Sequence, residues 1–318
     1  MEKQPTQQRQ ITDQVVMIRP WSFRMNEETA VNNYFQKSGD QSPATVIDNA
    51  QKEFDGLAAK LRSKGIKVLV VEEGEDRNTP DALFPNNWIS FHADGTVALY
   101  PMYAENRRKE RREDVLEELE QLGYAIDSIQ DYTEAENEGV ILEGTGSLLL
   151  DRVNKLAYCA LSERAHEELL DEFCEDFGYM PIAFGAYQTV GEERLPIYHT
   201  NVMMCLGEDF AVICLECIDD KKERKFVRQQ LVDSGKEVVA LTEAQIHQFA
   251  GNMLQLKGEG GQSYLVMSSA AYNSLTAHQV NTLEKYTQIV YAPLDTIETL
   301  GGGSARCMLA EVFLPSAT

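Results

Sequence analysis

Basic residues are scarce in this chain, with 29 Lys and Arg against 51 Asp and Glu, a net charge of -22 and an isoelectric point near 4.6. So acidic a surface repels nucleic-acid phosphates and anionic membranes, which leaves a small molecule as the expected partner. No apolar run reaches the roughly 18 residues of a membrane span, and Met1 to Gln10 is polar with no signal-peptide core, so a cytoplasmic location is expected. Cysteine is sparse as well: six in 318 residues cannot staple a disulfide scaffold. Cys214 and Cys217 form a C-x-x-C, but no second pair or histidine cluster completes a zinc site, so both are read in or beside a buried strand over Phe210 to Ile213. No metal or cofactor is expected. With 43% hydrophobic and 25% charged residues the composition is that of a globular protein and excludes a disordered one.

What the chain does have is a repeated turn. Phe84-Pro85-Asn86-Asn87-Trp88-Ile89, Glu143-Gly144-Thr145-Gly146-Ser147-Leu148, His199-Thr200-Asn201-Val202-Met203-Met204, Gly251-Asn252-Met253-Leu254 and Gly301-Gly302-Gly303 to Leu309 each join a glycine or asparagine turn to a short apolar run. Asn87, Gly144, Asn201, Asn252 and Gly303 are spaced by 57, 57, 51 and 51 residues, the signature of a repeat architecture. Amphipathic helices are expected between the turns, near Asp48 to Lys64, Glu110 to Leu122, Ser162 to Phe177, Asp220 to Ser234 and Ala277 to Tyr286. Strands are expected near Gln14 to Ile18, Lys67 to Val71, Thr96 to Leu99, Leu156 to Cys159, Lys236 to Leu241 and Ile289 to Tyr291, and the apolar tail after Met308 reads as a further buried strand. The class is α/β. Five such units arranged radially would bring their turns to one axis; a two-domain α/β protein with accidental spacing is the competing arrangement.

Three of the turns carry reactive side chains, Glu143, His199 and Cys307. A cysteine attacks as its thiolate, a histidine can take up and return the proton, and a carboxylate can orient the base or the substrate. Each also has a plainer reading: a core cysteine after a glycine turn, a strand-end histidine, a paired buried carboxylate. His92, His166, His247 and His278 read as surface or helix-face positions. Arg107, Arg108, Arg111 and Arg112 read mostly as a solvated face of alternating charge.

Glu143-Gly144, His199 before a polar residue and an apolar strand, Gly251-Asn252 and Gly-Gly-Gly-x-x-x-Cys before Met308 resemble, in order, the motifs of the pentein superfamily of guanidine-modifying enzymes. The resemblance runs from Asp81 to the end of the chain. It implies one domain over residues 1–318, a five-bladed α/β propeller of strand–helix repeats. It also implies a mechanism in which Cys307 attacks a guanidine or ureido carbon, His199 is general acid and base, and Glu143 holds the substrate nitrogens.

The family's Phe-x-x-Asp element is Phe84-Pro85-Asn86-Asn87 here, so Asn87 stands where an aspartate would pair with a guanidinium. An asparagine amide donates and accepts, which suits a neutral ureido group. Asp81 matches an aspartate of the dimethylarginine-hydrolase branch. The Glu-Gly-Gly-Asp element of arginine deiminases is Glu143-Gly144-Thr145-Gly146, without the second carboxylate. Both losses point to citrulline, with ornithine as product, and the chain resembles the citrulline-utilisation hydrolases. Arg164 matches a family arginine that holds the substrate carboxylate, and Arg108 or its neighbour Arg107 is a second candidate. An amidinotransferase, an arginine or methylarginine deiminase-type enzyme, and an inactive binding propeller are the alternatives. The oligomeric state is open, a homodimer included.

Overall fold

The computed structural model describes residues 8–317. Five three-stranded sheets share one plan: a short strand runs antiparallel to a central strand, and a helical crossover leads to a third strand parallel to the centre. Four are contiguous in the chain: Ile89–Phe91, Thr96–Leu99 and Ser128–Asp131; Leu148–Asp151, Leu156–Leu161 and Met180–Gly185; Met204–Leu206, Phe210–Ile213 and Glu237–Ala240; Leu254–Lys257, Ser263–Ser268 and Gln288–Ala292. The fifth joins the two ends. Gln14–Arg19 pairs in parallel with Lys67–Glu72 and antiparallel with Ala310–Glu311, in the register Val15 to Glu311 and Val16 to Ala310. A two-stranded hairpin, Tyr187–Val190 with Glu193–Pro196, stands apart from this plan.

The crossover helices begin where capping chemistry allows. Ser42 accepts from the Thr45 amide with Pro43 in the first turn, and the helix Pro43–Ser63 buries Val46, Ala50, Phe54, Leu57, Ala58 and Leu61. Asp220 caps Lys221–Asp233, and Thr276 with Gln279 forms a capping box at Ala277–Leu283. Glu113–Gln121 and Glu167–Phe177 bury Val115 and Leu119, and Leu169, Leu170 and Phe173. The α/β class and the alternation of elements therefore agree with the sequence reading, with two corrections. The tail after Met308 forms a strand of only two residues, Ala310–Glu311; beyond it the Val312 N–H still donates to the Gln14 carbonyl, but the Val312 carbonyl accepts from the Thr12 hydroxyl. Two expected helices start late, with Ser162 and Ala165 paired as a β-bridge before Glu167 and Glu105–Glu110 a 3-10 turn before Glu113, and one starts early, at Pro43 rather than near Asp48.

The turns that precede the short strands pack on one another. Gly144, at φ +43°, has no room for a side chain: a Cβ would lie 2.5 Å from the Asn86 carbonyl oxygen. The triple glycine closes a helix, Asp295–Gly301, with Gly302 in the left-handed conformation at φ +63°. Among the described residues no helix is long and apolar enough to cross a membrane, and no group of three metal-ligating side chains is present.

Candidate active site

Glu143, His199 and Cys307, distant in sequence, lie around one buried place. Glu143 and His199 are joined by a 2.7 Å hydrogen bond between Oε2 and Nε2, and both are buried. The backbone N–H of Tyr103 donates to Oε1 at 2.9 Å, and Arg164 and Arg107 stand 3.6 and 3.9 Å from Oε2. Burial opposes ionisation of Glu143, but Arg164, the His199 hydrogen bond and Arg107 outweigh it and hold the carboxyl at about 2. Burial lowers His199 to about 4 against the pull of Glu143, with Arg164 and Arg107 adding to the drop. At neutral pH the ring is therefore neutral, donating from Nε2 to the carboxylate and keeping Nδ1 free to accept a proton.

Cys307, 3% exposed, shares a cavity with His199, Asp81, Asn87, Arg107, Arg164, Phe84 and Tyr198. Its sulfur receives two side-chain amides, Asn252 Nδ2 at 3.1 Å and Asn201 Nδ2 at 3.3 Å. Asn252 is itself fixed: Nδ2 also reaches the Asn201 carbonyl, and Oδ1 accepts from the backbone N–H of Arg306. Asn252 stands two residues before its strand, as Asn87 does, and Asn201 three before its strand, as Asn86 does, but nothing in the sequence revealed that the Asn201 and Asn252 amides meet at the sulfur.

The remaining expected residues divide. Asp81 lines the cavity, its Oδ2 accepting from Asn26 and Thr29 while Oδ1 is buried without a hydrogen-bond partner. Burial raises its carboxyl, although Arg107 and the Asn26 hydrogen bond pull the other way. Asn87 also lines it, with its carbonyl accepting from Arg107 Nη1 at 2.8 Å. Arg164 is held by Asn32 and the Thr29 carbonyl and lies over the Tyr198 ring at 4.8 Å. Arg108 is a correction: it is half-buried outside the cavity, bound to the Met102 carbonyl and Glu136. The 3-10 turn Glu105–Glu110 directs Arg107 inward instead, where it is buried and forks onto Glu110 at 2.8 and 2.9 Å. His92 is a second correction: it is buried, stacked on Phe177 and bonded to Ser90, its basicity suppressed by that burial. Cys214 and Cys217 are buried free thiols 3.3 Å apart, beside the strand as expected.

Fold and site together define a class of protein: an α/β protein in which a buried cysteine shares its cavity with a histidine that is bonded to a buried carboxylate. Residues 19–314 match the family model described as N,N dimethylarginine dimethylhydrolase, eukaryotic, and the chain belongs to that family, within the pentein superfamily of guanidino-modifying enzymes. No curated protein matches the sequence. Among solved structures the chain is similar to ArgZ, an arginine dihydrolase from the ornithine–ammonia cycle in Cyanobacteria, with a TM-score of 0.71 and 15% identity over 95% of this chain and 41% of that one. It is similar to AgrE in its ternary complex with ornithine and NAD+, with a TM-score of 0.72 and 18% identity over 95% of this chain and 39% of that one. It is also similar to a dimethylarginine dimethylaminohydrolase variant bearing an S-methyl-L-thiocitrulline adduct, with a TM-score of 0.62 and 12% identity over 95% and 99% of the two chains. The chain thus spans about two fifths of the length of ArgZ and AgrE.

Proposed function

We propose that the protein is a cysteine-dependent hydrolase that splits the C–N bond of a ureido amino acid, with citrulline converted to ornithine. The observation that carries this reading is the cavity itself, lined by Cys307, whose sulfur receives two amide donors, and by His199, whose Nε2 is bonded to Glu143 behind it. His199 takes the thiol proton at Nδ1, and the sulfur forms a bond to the ureido carbon as the carbonyl π pair moves to oxygen. When that pair returns, the bond to the δ-nitrogen breaks and His199 gives its proton to the departing ornithine. The S-carbamoyl enzyme is then attacked by a water that His199 deprotonates. The C–S bond breaks, and the released carbamate falls apart to carbon dioxide and ammonia.

Arg164, lining the cavity and donating to Asn32 Oδ1 and the Thr29 carbonyl, is the residue assigned to the substrate carboxylate. Arg107 takes the second place that Arg108 was expected to fill. The five like sheets fit a single propeller domain with the turns at its axis. A product-resolved screen of citrulline, arginine, methylated arginines and agmatine tests the assignment, and ornithine released from citrulline is the expected result. Cys307→Ala should abolish turnover, and persistence would remove Cys307 as nucleophile. The second reading is hydrolysis of arginine or a methylated arginine. The unpartnered Oδ1 of Asp81 favours it as a remaining acceptor for a guanidinium, and the same screen separates the two by the departing group.

A further inference from the structure

The C-x-x-C formed by Cys214 and Cys217 has no part in the site described above. Cys214 follows the central strand Phe210–Ile213, and Cys217 closes the 3-10 turn Leu215–Cys217 that leads toward the helix Lys221–Asp233. The Cys217 N–H donates to the Cys214 carbonyl at 3.3 Å, so the chain folds back on itself and the two sulfurs stand 3.3 Å apart. A disulfide is about 2.0 Å long, so joining them takes a movement of roughly 1 Å. Cys214 is pinned through its own N–H to the Met203 carbonyl at 3.0 Å, whereas Cys217 adjoins the exposed Glu216, and the turn can yield there.

The two thiols also differ from the rest in their chemistry. Burial raises the thiols of Cys159, Cys174 and Cys205. Cys214 goes the other way: the hydrogen bond from Cys217 holds it below its ordinary value against that same burial, and the shared bond and burial raise Cys217 in turn. The pair therefore consists of an attacking sulfur and a second thiol placed to resolve it. Among the described residues no other two thiols share a hydrogen bond, and no group of three metal-ligating side chains is present to draw the pair into a metal site.

We propose that Cys214 and Cys217 form a modification site, a dithiol that hydrogen peroxide closes to a disulfide and a dithiol reductant reopens. The Cys214 sulfur attacks one peroxide oxygen: the S–O bond forms, the O–O bond breaks, and the departing hydroxide leaves as water with the Cys214 proton. The Cys217 sulfur then attacks the sulfenic sulfur: the S–S bond forms, the S–O bond breaks, and a second water leaves with the Cys217 proton. Two thiols are oxidised and one peroxide is reduced to two waters. Neither residue has exposed surface, so the oxidant must be small, and a bulky disulfide such as oxidised glutathione is shut out.

The test treats the folded full chain with hydrogen peroxide or with oxidised glutathione, unfolds it in iodoacetamide and cuts it with trypsin. No Lys or Arg lies between Arg194 and Lys221, so Cys205, Cys214 and Cys217 fall on one peptide and Cys205 serves as an internal control. After peroxide that peptide should take up a single alkyl group, on Cys205, and be lighter by two hydrogens across Cys214 and Cys217. After later reduction with dithiothreitol, or after oxidised glutathione in place of peroxide, all three cysteines should be alkylated. In Cys217→Ser the resolving thiol is gone, and peroxide should carry Cys214 on to the sulfinic acid. Full alkylation after peroxide, a bond that includes Cys205, or a sulfinic Cys214 in the wild type overturns the proposal, and these readings decide it should the variant not fold. A glutathione adduct on Cys214 or Cys217 overturns the assignment of the oxidant.

Discussion

On the side of His199, Arg164 and Arg107, with Glu143 behind the imidazole, the groups are ionised or one proton from being so. On the wall that carries Cys307, the sulfur is met by two neutral amides. The difference follows from what each wall must survive. The Glu143 carboxylate keeps its charge throughout a reaction cycle, so permanent cations beside it always have a partner. A sulfur that becomes covalently bonded loses its charge, and a buried cation placed next to it would be stranded at a cost of several kcal/mol. An amide donor loses only a weak hydrogen bond, on the order of 1 kcal/mol, when the sulfur is capped. Neutral donors therefore serve a group whose charge comes and goes.

The largest effect is expected on the charged wall. Glu143→Gln should lower kcat/KM by about 1000-fold, within the range set by a misdirected acid–base group. The Glu143 charge and hydrogen bond both raise His199, so their loss should move the acid limb of the pH profile below its expected position near 4. A pH–rate series on both forms measures this, and an unmoved limb would separate Glu143 from the base. On the neutral wall, Asn252→Ala should cost less, about 30-fold in kcat, and slow alkylation of Cys307 by iodoacetamide at pH 7 by a similar factor. Should Asn252→Ala cost as much as Glu143→Gln, the contrast between the walls fails.

The smallest effect concerns an ionisable group linked to Cys307 through Ser304. Glu298 accepts from Ser304 Oγ at 2.5 Å, and the Ser304 carbonyl receives the Cys307 N–H. Burial raises the Glu298 carboxyl to about 7, against the pull of Ser268 and Ser304. A carboxyl raised on folding contributes stability below its unfolded value near 4.5 that is lost as pH climbs through 7. Glu298→Gln should remove that dependence, so its melting temperature should gain on the wild type by a few degrees between pH 5 and pH 8. Parallel melting curves at the two pH values would show that the neutral wall has no titrating support.

The sheets and the three reactive residues were legible because each is announced by something local: β-branched runs, helix caps, and motifs that recur at near-constant spacing. Glu143, His199 and Cys307 could be paired in advance because their turns occupy equivalent places in the series. Arg107 could not, since in Asn106-Arg107-Arg108-Lys109-Glu110 four consecutive residues are charged and only the 3-10 twist of that turn decides which arginine goes inside. His92 misled for a related reason: its burial comes from Phe173 and Phe177, about 80 residues on in the chain, which no local pattern connects to it. The short strands and the two amides on the sulfur are products of turn-on-turn packing, which spacing suggests and only coordinates resolve.

Cys307 lies three residues before the strand Ala310–Glu311, and that strand holds by two paired positions to Val15 and Val16 at the other end of the chain. Val312 adds a bond to Gln14 and one from Thr12, so the segment that carries the thiol is tied to the far end of the chain by a seam of a few residues. Local opening of that seam would loosen the strand beside Cys307 while the four contiguous sheets stood intact.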